Sequence, residues 1–293
     1  MRVVDTTENV RENEQHYDQS YRDVNVDEIV TMVENFDEFF SDAVRTDTSW
    51  YGMYMDGFAD RLKGRRVLEL GCGNGVNALA MCMLGAQVVA VDISSESARI
   101  VNQAAQKLGF GPERVQGLSG DFTSLNLEDE PFDCVVGKAF LHHLTEELER
   151  EYLAKAAGML KPEGEARFFE PAENSPTLDS LRWMVPVRNR PSSLNKKAFA
   201  KWKASDPHPD RSNSSQTYLQ NAALYFEQVD ALSLGSIERF HKLLPGGSFN
   251  RKYRRWAHRV DARMPNWFRH KFARSQLLVY RHPKSSAADR GSL

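Results

Sequence analysis

The stretch Val67-Leu68-Glu69-Leu70-Gly71-Cys72-Gly73-Asn74-Gly75 decides the fold of this 293-residue chain. Three apolar residues around one carboxylate predict a short buried parallel strand, and the glycines predict a tight turn into a helix. The helix is expected over 76–84 and a second buried strand over 87–91, with Asp92 at its tip. An acidic residue in that place, about 20 residues after the glycine turn, can accept hydrogen bonds from a ribose diol. The pattern predicts a nucleoside-binding βαβ unit.

The spacing of the glycines narrows the class of nucleoside. A dinucleotide-binding loop has the spacing G-x-G-x-x-G, which presents bare backbone amides to a pyrophosphate. Here the spacing is G-x-G-x-G, and the carboxylate of Glu69 precedes it. That carboxylate would repel a pyrophosphate but would suit a cationic ligand. A nicotinamide-dependent oxidoreductase is therefore disfavoured.

Three further segments follow the glycine loop in a characteristic order. They are Gly120-Asp121-Phe122 after a predicted strand over 114–118, the strand and loop over 131–144 that end in Leu141-His142-His143-Leu144, and a turn over 160–165 before a strand over 166–171. Together with the glycine loop, these segments resemble the motifs of the class I S-adenosyl-L-methionine-dependent methyltransferases. The resemblance covers residues 66–171.

The resemblance implies an α/β fold with a seven-stranded, mostly parallel, doubly wound sheet. Its last two strands are expected over 226–234 and 275–281, with the seventh strand antiparallel between the fifth and the sixth. Residues 235–274 would then form an insertion between these strands. The expected segments are an N-terminal helical lid, a core that binds S-adenosyl-L-methionine, and a region with the substrate cap and the last strands, over 1–65, 66–171 and 172–293.

The same resemblance assigns residues to the cofactor. The expected cofactor-binding residues are Tyr17, Glu69, Gly71, Gly73, Gly75, Asp92, Ile93, Asp121, Phe122 and Lys138. The glycines would admit the methionine and ribose portions, the tyrosine would belong to the lid, and Glu69 would support the loop electrostatically. Asp92 would bind the ribose hydroxyls, Ile93 would pack on the adenine, and Asp121 with Phe122 would hold its edge. For Asp121 an ordinary loop turn or helix cap remains the alternative.

His142 and His143 lie where the methyl acceptor is expected to enter. Methyl transfer from a sulfonium is an in-line displacement with a neutral leaving group, so the main task of the enzyme is alignment. A base is needed only when the acceptor loses a proton, and a histidine titrates near neutral pH. Either residue is therefore a candidate catalytic base. The alternative is that one of them caps or packs against the following helix.

Composition predicts a cytoplasmic protein without a structural metal. The chain has no run of 18 apolar residues, and its N-terminus lacks the apolar core of a signal peptide. Cys72, Cys82 and Cys134 form no C-x-x-C pair, which predicts reduced thiols.

Charge is distributed unevenly along the chain. Residues 1–64 contain 15 Asp/Glu against 6 Lys/Arg, whereas residues 171–293 contain 22 Lys/Arg against 9 Asp/Glu. Within the insertion, arginines surround an apolar stripe with helical spacing, formed by Tyr253, Trp256, Val260 and Met264. Either the stripe packs on the core and the arginines are solvated, or residues 251–274 contact an anionic membrane surface. A nucleic-acid partner is disfavoured because no RNA-binding module is recognisable.

Aromatic and cationic residues of the predicted cap indicate the chemistry of the acceptor. Trp183, Phe199 and Trp202 are interspersed with Arg182 and Arg190, which suits a small acceptor with an apolar body and an anionic end. The leading hypothesis is a methyltransferase acting on such an amphiphilic or aromatic metabolite, with O-methylation favoured over N- or C-methylation. Two alternatives stay open: a peripheral-membrane methyltransferase acting on a lipid, isoprenoid or phosphorylated prenyl acceptor, and a non-methylating enzyme that binds the same cofactor on this fold.

Overall fold

A computed structural model describes residues 6–127, 130–173, 176–187, 190–204, 209 and 211–284. The first residues of the predicted lid segment, 1–5, and the last residues of the predicted cap segment, 285–293, lie outside the described residues. Within the described residues seven strands form one sheet, and they span Arg66–Leu70 (β1), Gln87–Asp92 (β2), Val115–Ser119 (β3), Phe132–Lys138 (β4), Leu160–Pro171 (β5), Phe226–Leu234 (β6) and Ser275–Pro283 (β7).

The order of the strands confirms the predicted fold class. The sheet runs β3-β2-β1-β4-β5-β7-β6, and the pairs among the first five strands are parallel. Strand β7 is antiparallel to both β5 and β6 and lies between them. Strand β1 is buried along its whole length because helices cover both faces of the sheet.

Helices fall into four groups along the chain. Before the sheet lie Thr6–Tyr21 (α1), Val26–Glu34 (α2), Phe36–Thr46 (α3), Thr48–Tyr54 (α4) and Phe58–Arg61 (α5). The helices among the parallel strands are Val76–Met83 (α6), Ser95–Lys107 (α7) and Glu146–Met159 (α8). Between β5 and β6 lie Pro176–Met184 (α9), Lys196–Ala204 (α10) and Ser215–Ala222 (α11), and between β6 and β7 lie Ser248–Asp261 (α12) and Asn266–Phe272 (α13). In the part of the chain that the structure describes, no helix is both long and apolar enough to cross a membrane.

Two apolar layers hold the sheet, one on each face. One layer packs residues of α2, α4, α6 and α7, such as Val33, Met53 and Leu79, against the sheet. The other packs α8 and α11 against the opposite face, with Leu153 and Tyr218 among its buried residues. All three cysteines are buried and unpaired.

Strand β5 begins earlier than predicted. Its first residue is Leu160 rather than residue 166, because Leu160 pairs with Phe132 of β4. The next pair joins Cys134 to Glu165, so the residues between Leu160 and Glu165 form a bulge inside the strand. The predicted turn over 160–165 is therefore part of the strand.

Helix α12 packs with a face that lies beside the one that its apolar stripe predicts. Ala257, His258 and Asp261 are buried, whereas Trp256 of the predicted stripe remains 49% exposed. His258 stacks on the ring of Tyr51 with the centroids 4.7 Å apart. The Arg254 guanidinium turns inward because the buried carboxylate of Glu238 accepts its hydrogen bond at 2.6 Å. Tyr253, Val260 and Met264 of the stripe are half-buried and Arg254 is turned inward, so the choice between packing on the core and a membrane contact stays a prediction.

Candidate cofactor and active site

A cavity of about 410 Å³ lies where the carboxyl ends of β1, β2 and β4 meet helix α1. Parallel α/β sheets bind ligands at this edge, and the volume falls in the range of small-molecule sites. The lining residues are Asn9, Val10, Asn13, Tyr17, Tyr21, Glu69, Leu70, Gly71, Cys72, Gly73, Asn74, Asn77, Val91, Asp92, Ile93, Gly120, Phe122, Lys138, Ala139, Phe140, His143, Leu144, Leu148 and Tyr152.

The loop between β1 and α6 requires glycine at two positions on the cavity. Gly71 and Gly73 have φ angles of +70° and +55°, a region that side chains with a Cβ disfavour. A Cβ on Gly71 would lie 2.4 Å from the Phe140 ring, and one on Gly73 would lie 2.9 Å from the Tyr21 hydroxyl. Gly75 ends the loop as the residue before α6 and does not line the cavity. Bare backbone at the first two positions leaves room for a ligand.

Asp92 orders the loop and also faces the cavity. The backbone N–H of Gly73 donates to its Oδ2 at 2.8 Å, and the N–H of Ser94 donates to its Oδ1 at 3.0 Å. Burial raises the pKa of this carboxyl, an effect that these two hydrogen bonds oppose. Each oxygen retains a second acceptor site, which is what a ribose diol requires. Ile93 and Phe122 line the cavity with it, and their contact with the adenine stays a prediction.

Glu69 has one carboxylate oxygen without a partner. Its Oε1 accepts a hydrogen bond from Asn77 Nδ2 at 2.7 Å, and Asn77 in turn accepts from the Tyr54 hydroxyl at 2.8 Å. Its Oε2 is buried and has no hydrogen-bond partner among the described residues. Burial raises the pKa of Glu69 above its ordinary value. An acidic oxygen that lines a cavity and has no hydrogen-bond partner is a site for a positively charged group.

The Lys138 side chain lies beside Glu69 rather than in solvent. Its Nζ stands 4.2 Å from the centroid of the Trp50 ring. Burial lowers the pKa of Lys138, while the nearby carboxylates of Glu69 and Asp47 raise it. Trp50 and Asp47 also line a second cavity, of about 1140 Å³, between α3 and α12. Lys138 and Trp50 thus lie between the cofactor cavity and a second concave region.

Helix α1 covers the cavity and is fastened at two sides. Asp18 accepts a hydrogen bond from Ser94 Oγ at 2.6 Å, which ties the helix to the loop after β2. The Tyr17 hydroxyl lies 3.2 Å from Nδ1 of His143, which ties it to the loop after β4. Tyr17 also stacks on Tyr21, with ring centroids 5.6 Å apart. The predicted lid position of Tyr17 agrees with this arrangement.

Sequence reasoning missed two asparagines on the same helix. Asn9 is 1% exposed, and neither polar atom of its side-chain amide has a hydrogen-bond partner in the part of the chain that the structure describes. Asn13 donates to the carbonyl of His143 at 3.4 Å, and its Oδ1 also lacks a partner there. The two residues and the tyrosines recur at intervals of four, which places them on one face of α1. This four-residue spacing was the sequence signal that could have identified the two asparagines.

The two histidines occupy different environments. His143 lines the cavity, whereas His142 does not. The Nδ1 of His142 lies 2.7 Å from Oε2 of Glu170, a fully buried carboxylate. Oε1 of Glu170 also accepts hydrogen bonds from the backbone N–H groups of Phe140 and Leu141, at 2.9 and 2.7 Å. Glu170, missed by sequence reasoning, therefore holds the loop that presents His143.

Asp121 is not among the residues that line the cavity. Its Oδ1 accepts from the Thr123 N–H at 3.0 Å and from the Tyr152 hydroxyl at 2.9 Å, and its Oδ2 accepts from Thr123 Oγ1. This is the loop-turn arrangement that the sequence left open as the alternative. The adenine contact of Asp121 stays a prediction.

Comparison with known proteins agrees with this geometry. A family model described as a methyltransferase domain matches residues 67–164. The chain is 30% identical over 121 residues to the ubiquinone biosynthesis O-methyltransferase of Actinobacillus pleuropneumoniae serotype 5b, an alignment that covers 38% of this chain and 47% of that protein. It is 39% identical over 107 residues to the cypemycin N-terminal methyltransferase of a Streptomyces species, covering 36% and 41%. The alignments thus span about half the length of the curated relatives.

Among solved structures, the PH0226 protein from Pyrococcus horikoshii OT3 aligns with 83% of this chain and 96% of its own. The TM-score is 0.49 and the sequence identity 20%. The family match coincides with the strands and loops that build the cavity, from β1 to the bulge of β5. Residues 67–164 of this chain therefore match a methyltransferase domain.

Proposed function

We propose that this protein transfers a methyl group from S-adenosyl-L-methionine to a small acceptor that has an apolar or aromatic body and an anionic end. The observation that carries the proposal is the cavity lined by bare glycine backbone, Asp92 and Glu69, whose Oε2 has no hydrogen-bond partner among the described residues. A ligand with a cationic end and a ribose fits this set of donors and acceptors. When bound, S-adenosyl-L-methionine supplies an activated methyl group on a sulfonium.

Each residue of the chain then has a defined task. Glu69 neutralises positive charge, Asp92 holds the ribose hydroxyls, and α1 excludes water from the cavity. His143 accepts the proton of a hydroxyl acceptor, and the Tyr17 hydroxyl orients its ring. His142 is a positioning residue in this scheme because Glu170 holds its imidazole outside the cavity lining.

Residues of the predicted cap support the proposed chemical character of the acceptor. Trp183, Phe199 and Trp202 form an aromatic cluster, with ring centroids 5.4 to 5.6 Å apart. Arg182 and Arg190 lie over the Trp183 ring at 5.1 and 4.9 Å. This juxtaposition of aromatic faces and guanidinium groups suits a planar or apolar acceptor with a carboxylate or phosphate. O-methylation is favoured because one relative is named as an O-methyltransferase and because His143 offers a base.

The proposal is tested by methyl transfer from a labelled donor to a panel of catechols, hydroxybenzoates and phosphorylated prenyl alcohols. Once an acceptor is found, His143→Ala is expected to lower kcat by roughly 100-fold, as loss of a general base does. Tyr17→Phe is the matched control, since it removes only the hydroxyl that touches the imidazole, and a change of a few-fold is expected. No transfer to any acceptor, despite tight cofactor binding, would favour a non-methylating use of the site. An unchanged kcat in His143→Ala would remove the histidine from the scheme.

Cofactor binding is also expected to depend on pH through Glu69. The raised pKa of this buried carboxyl means that a fraction is protonated in the ligand-free protein, and a cationic ligand lowers that pKa by favouring the carboxylate. Binding therefore releases protons, and affinity should rise as pH increases through neutrality. Calorimetry in buffers of different ionisation enthalpy measures the release, and Glu69→Gln should abolish the part that this residue supplies. Asp92 and Lys138, which line the same cavity, remain intact in that variant, so any proton release that persists measures their contribution.

A further inference from the structure

The outer face of α12 is both apolar and cationic. Arg254, Ala257, His258 and Asp261 form the inward face of this helix. On the opposite face, Phe249 and Trp256 are 61% and 49% exposed, and they lie two turns apart, one above the other. At 100° per residue, the exposed cations Lys252 and Arg259 fall on the same side, and exposed Arg263 follows in the turn directly after the helix. These five residues, Phe249, Lys252, Trp256, Arg259 and Arg263, are named the basic-aromatic face.

The insertion that contains α12 has no exposed acidic residue to balance this face. The insertion 235–274 contains 11 Lys/Arg and only two acidic residues, Glu238 and Asp261. Both are buried: Glu238 accepts from the guanidinium groups of Arg254 and Arg274, and Asp261 accepts from the backbone N–H of Ile237. The fold has therefore drawn both acidic groups of this segment inward, whereas Lys252, Arg259 and Arg263 stay exposed.

The cations of the basic-aromatic face have no acidic partner among the described residues. The guanidinium of Arg259 donates to the carbonyl of Arg255, and that of Arg263 donates to the carbonyl of Arg259. These bonds hold the side chains along the helix without neutralising them. Further exposed apolar residues of the same insertion are Phe240, Leu243 and Trp267, at 52%, 60% and 66%.

We propose that the basic-aromatic face docks on a membrane surface that contains anionic lipids. Aromatic side chains at the level of the headgroups, flanked by Lys and Arg, are the features by which an amphipathic helix lies in the interfacial plane. The charge of the face is complementary to such a surface, and the inward contacts of α12 keep the helix formed and oriented. Cations alone would also suit a duplex nucleic acid, but a duplex gives no role to the exposed rings of Phe249 and Trp256.

The inference is independent of the proposed function because it is tested without any methyl acceptor. The measurement is co-sedimentation of the full chain with vesicles of phosphatidylcholine alone and of phosphatidylcholine with phosphatidylglycerol, at two salt concentrations. Binding to the anionic vesicles is expected to be at least roughly tenfold tighter and to weaken with salt. The triple variant Lys252→Glu/Arg259→Glu/Arg263→Glu should lose this preference, and Phe249→Ser/Trp256→Ser should weaken binding to anionic vesicles several-fold.

Matched controls separate this surface from general basicity. Lys196→Glu/Lys197→Glu/Lys201→Glu makes the same change of charge on exposed residues of α10 and should leave vesicle binding within about twofold. Arg254 is kept intact because its guanidinium belongs to the buried contacts of Glu238. Equal loss of binding in the α10 variant would overturn the proposal, as would unchanged binding in either α12 variant. Binding to duplex RNA without binding to vesicles would identify a nucleic-acid surface, and a dimer lost in the aromatic variant would identify a contact between copies; each result contradicts the membrane assignment.

Discussion

Replacing Asp92 with asparagine is expected to weaken binding of S-adenosyl-L-methionine and S-adenosyl-L-homocysteine by roughly 100-fold, about 2.7 kcal/mol. The variant keeps the shape of the side chain but replaces one oxygen with an amide that donates. In the protein, both oxygens of Asp92 already accept backbone hydrogen bonds, from Gly73 and Ser94. The change therefore removes acceptors for the ribose and also weakens the contact that fixes the glycine loop. Isothermal titration calorimetry of the purified variant measures the loss.

Asp133→Asn is the matched control for that experiment. Asp133 is as buried as Asp92 and likewise accepts a backbone N–H, that of Arg66, but it lies at the amino end of β4, away from the cavity. Its replacement should lower thermal stability and leave the cofactor Kd within a few-fold. Wild-type affinity in Asp92→Asn would place the ribose elsewhere, and an equal loss in both variants would mean that the effect is structural.

The core and the cofactor loop could be predicted from sequence because their determinants are local. Strand β6 begins and ends where the sequence indicates, and β7 begins at Ser275 as expected. The positions of Gly71, Gly73 and Asp92 are fixed by consecutive residues of one βαβ unit, so a motif captures them. The antiparallel position of β7 between β5 and β6 was predicted from the family resemblance alone, because no local sequence pattern shows which strands are its neighbours in the sheet.

Contacts made across long stretches of chain escaped prediction. Asn9 and Asn13 reach the cavity from helix α1, far before the glycine loop in the sequence, and only their four-residue spacing with Tyr17 and Tyr21 marks them as part of one face. The orientation of α12 depends on Glu238, which precedes this helix in the chain and is not part of its apolar stripe. An apolar stripe indicates the buried side of a helix only when no buried charge competes for the other side.

Glu238→Gln tests that competition and is expected to lower the free energy of unfolding by about 3 kcal/mol, the magnitude typical for removing one partner of a buried ion pair. The carboxylate of Glu238 is fully buried and lies 2.6 Å from Arg254, 3.1 Å from Arg274 and 2.9 Å from His241. Glutamine keeps the volume but removes the counter-charge of Arg274 and leaves Arg254 only its longer contact with Asp47, at 3.4 Å. Glu227→Gln, on an exposed position of β6, is the matched control and should change stability by less than about 0.5 kcal/mol.

The pKa of Glu238 determines how its contribution to stability changes with pH. Hydrogen bonds from His241 and the charges of Arg274 and Arg254 outweigh burial, which acts the other way, and hold the pKa of Glu238 well below its usual range. A depressed pKa in the folded state contributes stability above the unfolded value, about 4.3, and that stability is lost as pH falls below it. Urea denaturation of the wild type should therefore show a steep loss of stability below about pH 4, and the gap to Glu238→Gln should narrow there. Hydrogen exchange of the α12 amides locates the effect, since the variant should expose this helix first. A gap that stays constant with pH would show that the carboxylate, as a charge, does not orient the helix.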